Sequence, residues 1–281
     1  FHKLDGLPDL SALINLQRLN LSDCTSLQSL PELSALTKLR CLDLRNCETL
    51  KFIPNLSSLS NLESLDLHNC KSLQSLPELS DLTSLRCLNL GNCESLQRLP
   101  NLSALSKLDS LWLNGCKSLQ NLPELSPLVD LESLDLSDCK SLQSLPNLSG
   151  LSNLKFLGLN NCEALQSLSN LKGLPNLQYL YMESCKFLIS LPDLSALTNL
   201  QVLYLGSCIS LASLPDLTDL KNLQHLNLRN CKTIQTLPDL SCLSELKSLD
   251  LTNCKLLNRL PDLTTFTNLW FLDLSGCESL Q

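Results

Sequence analysis

Fifteen cysteines and three histidines are the residues of this 281-residue chain that could pair as disulfides, hold a metal or attack a substrate. Twelve of the cysteines, Cys24, Cys47, Cys70, Cys93, Cys116, Cys139, Cys162, Cys185, Cys208, Cys231, Cys254 and Cys277, follow one another at intervals of 23 residues. Such regularity marks a structural slot in a repeating coil. Stacked at a strand spacing, their Cβ atoms would repeat at ~4.8 Å, whereas a disulfide wants ~3.8 Å. A buried thiol serving as a small apolar residue with a weak donor fits better. Free thiols in this number favour a reducing compartment and hence a cytoplasmic location. Cys41, Cys87 and His68 suggest a metal, but the two cysteines fall two coils apart, ~10 Å by strand spacing, with Ser64 between them. Zinc closes a tetrahedron at ~2.0–2.3 Å, so no metal site is expected. His2 lies in the ragged first coil, the 8 glycines are scattered singly, and no phosphate loop or catalytic constellation forms. The expectation is a protein that is not an enzyme and needs no cofactor.

The slot implies a coil that positions it. Written from Leu16, one unit reads LxxLxLxxC and then xxLxxLPxLSxLxx, and Leu39 opens the next. Leu19 and Leu21 alternate with polar residues, the two-residue period of a strand with one buried face. The other leucines fall every three residues and must turn the chain back under that strand. Proline recurs there, as at Pro31, Pro54 and Pro77, and suits an irregular segment. Ser34 and Thr218, three residues after such a proline, can cap one short helical or 3₁₀ turn. No coil can bury its own leucines, so neighbours must stack and their strands must pair. The fold class predicted is an α/β solenoid, a leucine-rich-repeat horseshoe of about 12 coils of 23 residues. Its parallel sheet would lie on the concave face, with an irregular or 3₁₀ convex side.

Residues 1–281 read as a single solenoid without a linker. Its first half is marked by two-coil copies (Glu32, Glu78, Glu124; Asn55, Asn101, Asn147), and from Pro192 onward every such proline is followed by Asp. Phe1 falls in the Cys slot of an incomplete coil, and Gln281 stops four residues after the last slot. Both ends therefore read as uncapped, and the chain as a fragment with flanking domains in a longer protein. The net charge is −7, from 21 basic and 28 acidic residues. With no basic block this argues against nucleic acid, and no apolar run approaches the ~20 residues of a membrane span.

At LPDLSALTNLQVLYLGSC (191–208) and LESLDLSDCKSLQSLP (131–146) the chain resembles the leucine-rich region of plant intracellular immune receptors of the Toll/interleukin-receptor-like, nucleotide-binding type. The resemblance covers the whole chain at the level of repeat subtype. It implies a recognition and autoinhibition module that reads a pathogen protein.

Two outward columns flank the inner strand leucine. One reads Arg18, Cys41, Ser64, Cys87, Ser110, Ser133, Phe156, Tyr179, Val202, His225, Ser248, Phe271. The other reads Asn20, Asp43, Asp66, Asn89, Trp112, Asp135, Gly158, Tyr181, Tyr204, Asn227, Asp250, Asp273. All three tyrosines of the protein stand in them, in adjacent coils. Aromatic residues favour strands and pair across them, which is one reading. The other is a ligand-binding anchor patch, because Tyr and Trp dominate interface hot spots. Tyr179, Tyr181 and Tyr204 would form its centre, Trp112, Phe156 and Val202 its flank, and Lys155, Glu183, His225 and Arg229 a charged rim, with Gly158 leaving a dent. Arg18, Arg40 and Arg45 around Asp43 and Asp66 read as a solubilising face or a second binding site. The partner expected is a protein or peptide. An extracellular adhesion array remains an alternative, since Asn20, Asn55, Asn101 and Asn147 stand in Asn-Leu-Ser glycosylation sequons. So does a ligand-free structural or consensus-engineered repeat protein.

Overall fold

The computed structural model describes residues 6–168 and 170–281; Phe1 and His2 lie outside the described residues. The chain divides into two compact units, Phe1–Lys140 and Ser141–Gln281. The first holds strands β1 (Arg18–Asn20), β2 (Cys41–Asp43), β3 (Ser64–Asp66), β4 (Cys87–Asn89), β5 (Ser110–Trp112) and β6 (Ser133–Asp135). The second holds β7 (Phe156–Gly158), β8 (Tyr179–Tyr181), β9 (Val202–Tyr204), β10 (His225–Asn227), β11 (Ser248–Asp250) and β12 (Phe271–Asp273). In both, consecutive strands pair in parallel with each residue beside its counterpart 23 positions on, as Leu19 beside Leu42 and Leu180 beside Leu203. The protein is a parallel-sheet solenoid of 23-residue coils, as the period demands.

Each strand is three residues long, and its middle leucine points inward. Leu42, Leu65, Leu88, Leu111 and Leu134 are fully buried in the first unit, as are Leu157, Leu180, Leu203 and Leu249 in the second. A leucine taken out of water contributes ~1.5–3 kcal/mol, and one coil alone offers no surface to cover it. No charged or polar side chain is buried among the described residues.

The return path takes the irregular form of the expectation and not the 3₁₀ form. No α-helix or 3₁₀ helix occurs among the described residues; the leucines stand instead at the corners of separate turns. The N–H of Leu36 donates to Leu33 and that of Leu39 to Leu36, both at 2.9 Å, and the same pair of bonds recurs at Leu59 and Leu62. A 3₁₀ helix needs such bonds at consecutive residues. Here one residue in three makes them, because each inward leucine closes its own turn. The capping assignment is corrected as well. Thr218 is not the acceptor: its own N–H donates to Asp216 Oδ1 at 2.9 Å, and the N–H of Ser195 likewise donates to Asp193. The residue after proline makes the turn, a short carboxylate or amide reaching the backbone two residues on. These bonds hold the carboxyls of Asp193, Asp239 and Asp262 below the usual carboxylate range.

The same turn accounts for most of the glycosylation sequons. Asn55, Asn101 and Asn147 each accept the N–H of the serine two residues later. Asn-Leu-Ser is thus the amide version of the Asp-Leu-Ser turn at Asp193.

A left-handed residue precedes the Cys slot in every coil. Asp23, Asn46, Asn69, Asn92 and Asp138 adopt φ near +60° in the first unit, and Asn161, Ser184, Ser207, Asn230 and Asn253 do so in the second. Gly115 and Gly276 fill the remaining two places at φ 76° and 75°. Asn and Asp tolerate this conformation and Gly adopts it freely, whereas Ser184 and Ser207 are the unfavourable choices. The turn aims the next side chain inward. Cys70 Sγ then donates to the Leu44 carbonyl at 3.2 Å, and Cys231 to Leu205 at the same distance. Ten such thiol–carbonyl bonds link one coil to the preceding one within the two units. The twelve regular cysteines are reduced, with Cys24 and Cys277 half-buried and the others buried. Burial pushes Cys47 up to about 11 and Cys70, Cys116 and Cys254 up to about 12. Cys41 on β2 and Cys87 on β4 are half-buried, and Cys242 is the exposed thiol.

Candidate functional site

Strand ends need an acceptor for the N–H that follows them, and most coils supply it from the second outward column. Asp66 Oδ1 accepts the His68 N–H at 3.0 Å, Asp135 that of Ser137, and Asp250 that of Thr252. Asn20 does the same for Ser22, which accounts for the fourth sequon. The Asp and Asn residues of this column are therefore turn-formers. Trp112, Gly158, Tyr181 and Tyr204 are the four that are neither Asp nor Asn.

In the second unit, Tyr181 lies at the centre of a ring cluster. Its centroid is 5.6 Å from Phe156 at 45° and 5.3 Å from Tyr204 at 83°, an edge-on contact. Gly158 pairs with Tyr181 across the ladder and is buried, so the dent expected there is closed. Phe156, Tyr179, Tyr181 and Tyr204 are all half-buried and stand on the outward side of β7–β9. Burial, followed by neighbouring Tyr204, Tyr179 and Glu183, raises the Tyr181 hydroxyl above its ordinary value. Val202, expected as a flank, is buried: it sits between Tyr179 and His225 in its column and retains 7% exposure. Trp112 is half-buried on β5, in the other unit.

The rim residues divide. Lys155 and Arg229 are exposed, while Glu183 and His225 are half-buried. Burial, with Lys247 nearby, lowers the His225 imidazole. Tyr181 offers no acceptor to the N–H two residues on, and Asn160 of the preceding coil replaces it, accepting the Glu183 N–H at 2.8 Å. The Glu183 side chain in turn crosses the next coil. Its Oε1 accepts from Asn227 Nδ2 at 3.2 Å, 44 residues away in sequence. The passage is open because residue 206 is glycine: a Cβ there would lie 2.9 Å from Glu183 Oε1. Burial first, then Asp250, raises the Glu183 carboxyl, and Arg229 partly offsets them.

Two features escaped the strand-face reading. Asn160 was not singled out, because its partner lies in another coil. On the flank after the Cys slot, Phe187 (60% exposed), Ile189 (62%) and Ile209 (42%) interrupt columns that are elsewhere mostly charged or polar. The column comparison that exposed the tyrosines would have found them too.

Two of the early basic residues, Arg40 and Arg45, engage their own neighbours. Arg45 binds Asp43 at 2.7 Å and reaches Asp66 at 3.7 Å, and Arg40 pairs with Glu63. Exposed pairs of this kind contribute ~0–1 kcal/mol and fit the solubilising reading. Among the described residues no three His, Cys, Asp or Glu side chains converge as metal ligands, and no helix is long and apolar enough to cross a membrane.

Against this geometry, a family model described as plant disease resistance protein RPS2-like leucine-rich repeats matches residues 95–232, and a leucine-rich repeat model matches 245–266. These coils are leucine-rich repeats. YopM, a leucine-rich effector protein from Yersinia pestis, is 27% identical with a TM-score of 0.64, over 99% of this chain and 86% of that one. The functional domain of InlJ from Listeria monocytogenes, described as including a cysteine ladder, is 22% identical at TM-score 0.50, over 94% and 64%. The Toll–Spatzle complex of Drosophila matches with 20% identity and TM-score 0.64, over 95% and 42%. This chain therefore spans less than two thirds of the InlJ and Toll–Spatzle chains. No curated protein matches it. Three of the four departures from the Asp/Asn column, Gly158, Tyr181 and Tyr204, fall in the consecutive coils of β7–β9, and two of these are aromatic.

Proposed function

We propose that these leucine-rich repeats form a recognition surface for a protein or peptide ligand, seated on the outward face of β7–β9 around Tyr181. One observation carries this reading. In those coils the turn-forming Asp or Asn gives way to Gly158, Tyr181 and Tyr204, and half-buried rings pack there instead, tilted between Phe156 and Tyr181 and T-shaped between Tyr181 and Tyr204. Rigid, partly exposed aromatics lose little freedom on binding and supply most of the energy of many interfaces. The chain acts by binding and not by catalysis. Its net charge of −7 suits a protein partner better than nucleic acid.

We further propose an intracellular receptor setting of the immune-receptor type. The match of residues 95–232 to plant resistance-protein repeats supports it, as does the ladder of free thiols, which suits a reducing compartment.

The test is selection of binders from a displayed protein library on the immobilised chain, followed by alanine substitution of the face. Tyr181→Ala and Tyr204→Ala should each weaken the selected binders by ~2 kcal/mol or more, about 30-fold. Asp43→Ala and Asp250→Ala should cost little. Binders that survive both tyrosine variants but are lost with Arg18→Ala or Asp43→Ala would move the site to the first unit and overturn the proposal.

A further inference from the structure

The ring cluster has an acidic partner that the fold goes to some length to place. Glu183 follows Tyr181 by two residues, extends over the gap left by Gly206, and ends at the Asn227 amide. Asn227 brings no charge. Asp250 opposes the carboxylate, and Arg229 attracts it without closing to ion-pair distance among the described residues. A half-buried carboxylate without a close cation is costly. The charge is nonetheless kept near Tyr181, whose ring lies 5.3 Å from that of Tyr204.

Resting on the recognition surface proposed above, we infer that Tyr181, Tyr204 and Glu183 form a seat for a cationic side chain, an arginine or lysine of the ligand. A cation is attracted to a ring face within ~6 Å of its centroid, the more so when partly desolvated. Rings 5.3 and 5.6 Å from each other place a group seated at Tyr181 within reach of more than one of them. Glu183 then supplies the counter-charge, and the ligand cation takes the place that Arg229 only approaches. An acidic or purely apolar side chain would leave the carboxylate uncompensated. Arginine suits the seat particularly well, because a planar guanidinium can stack on a ring while donating to a carboxylate.

The experiment follows the tyrosine ring resonances of the isotopically labelled chain during titration with three blocked tripeptides, acetyl-Gly-X-Gly-amide with X as arginine, norleucine or glutamate. The arginine peptide should shift the Tyr181 and Tyr204 rings saturably, at least fivefold more tightly than the other two. Glu183→Gln, which keeps an acceptor for Asn227, should remove that preference while leaving the leucine amide resonances in place. Equal binding of the norleucine peptide, undiminished arginine binding to Glu183→Gln, or no ring shift with arginine would each overturn the inference. Its failure is separable from that of the parent reading. Library binders lost on Tyr181→Ala but indifferent to Glu183→Gln would leave the recognition surface standing without a cation seat. An arginine peptide that shifts the rings, while library binders ignore Tyr181→Ala, would leave the seat without the surface.

Discussion

The coils of β2 and β3 and the coil of β8 meet the same requirement by different means. In the former, Asp43 and Asp66 each accept the N–H two residues on, and Arg45 is drawn to both carboxylates. In the latter the acceptor comes from Asn160, one coil earlier, and the position that would have held it carries Tyr181. The first arrangement satisfies each coil from within and leaves a polar face with nothing to spare. The second moves the structural duty to a neighbour and releases an outward position for a ring. A place where a local rule is broken and the loss is made good elsewhere is where function is to be sought.

What the two regions share should fail equally in both. Leu65→Ala and Leu180→Ala each remove a fully buried strand leucine and should cost ~2–5 kcal/mol. Hydrogen exchange should quicken chiefly in the altered coil and its neighbours, because coils contact only adjacent coils. A uniform rise over the whole chain, or a much smaller cost in the tyrosine coil, would break the parallel.

The thiol ladder gives a second shared test, and its sign is fixed by burial. Cys70, Cys116 and Cys254 lie at about 12 in the fold, against an ordinary value of 9.0. The folded chain holds these protons where the unfolded chain has released them. Stability is therefore complete below about pH 9 and falls as pH rises from there toward 12. Each such thiol should cost roughly 1 kcal/mol per pH unit in that window. Urea midpoints measured from pH 8 to 10.5 check this; a flat profile would mean that the thiols are not buried.

The contrast itself is sharpened by removing the two kinds of acceptor. Asp66→Ala and Asn160→Ala should each cost ~1 kcal/mol, as a lost hydrogen bond does. Tyr181→Asp should restore most of the loss in the Asn160→Ala background and none in the Asp66→Ala background. Thermal denaturation of the four chains forms a double-mutant cycle. Independence of positions 160 and 181 would show that Asn160 does not stand in for the missing aspartate.

The smallest effect is a gain. Ser184 and Ser207 hold φ of 61° where most other coils use Asn, Asp or Gly. Ser184→Asn should stabilise by about 0.5 kcal/mol, a fraction of the ~1–2 kcal/mol that this conformation costs most residues. A destabilised Ser184→Asn would give the serine a specific role next to the aromatic face.

The fold was legible because each of its rules repeats every 23 residues. Leucine spacing revealed strands and turns, and the Cys slot revealed the inward thiol. Between an irregular and a 3₁₀ return path spacing could not choose, because it does not carry whether the residues between leucines donate to the backbone or to an Asp or Asn side chain, as Thr218 does to Asp216. The tyrosine face was legible as a departure from its columns. Glu183 was legible as a charge near that face but not as a side chain spanning a glycine gap. That relation joins Glu183, Gly206 and Asn227 in three coils, and no single column shows it.

The thiol–carbonyl bonds have a consequence for the time course of folding. Each joins a cysteine to a carbonyl 26 residues earlier, whichever coil it belongs to. Every closure therefore encloses a loop of nearly the same length, costing on the order of 3 kcal/mol beyond a constant. A newly closed coil offers its successor the same template that it was itself offered, so closure can start at many places and spread along the chain. Relative to chain length, the sequence separation of the contacts shrinks as coils are added, and a low relative contact order goes with rapid folding. The time to close one coil, and not the number of coils, sets the pace at which such a stack assembles.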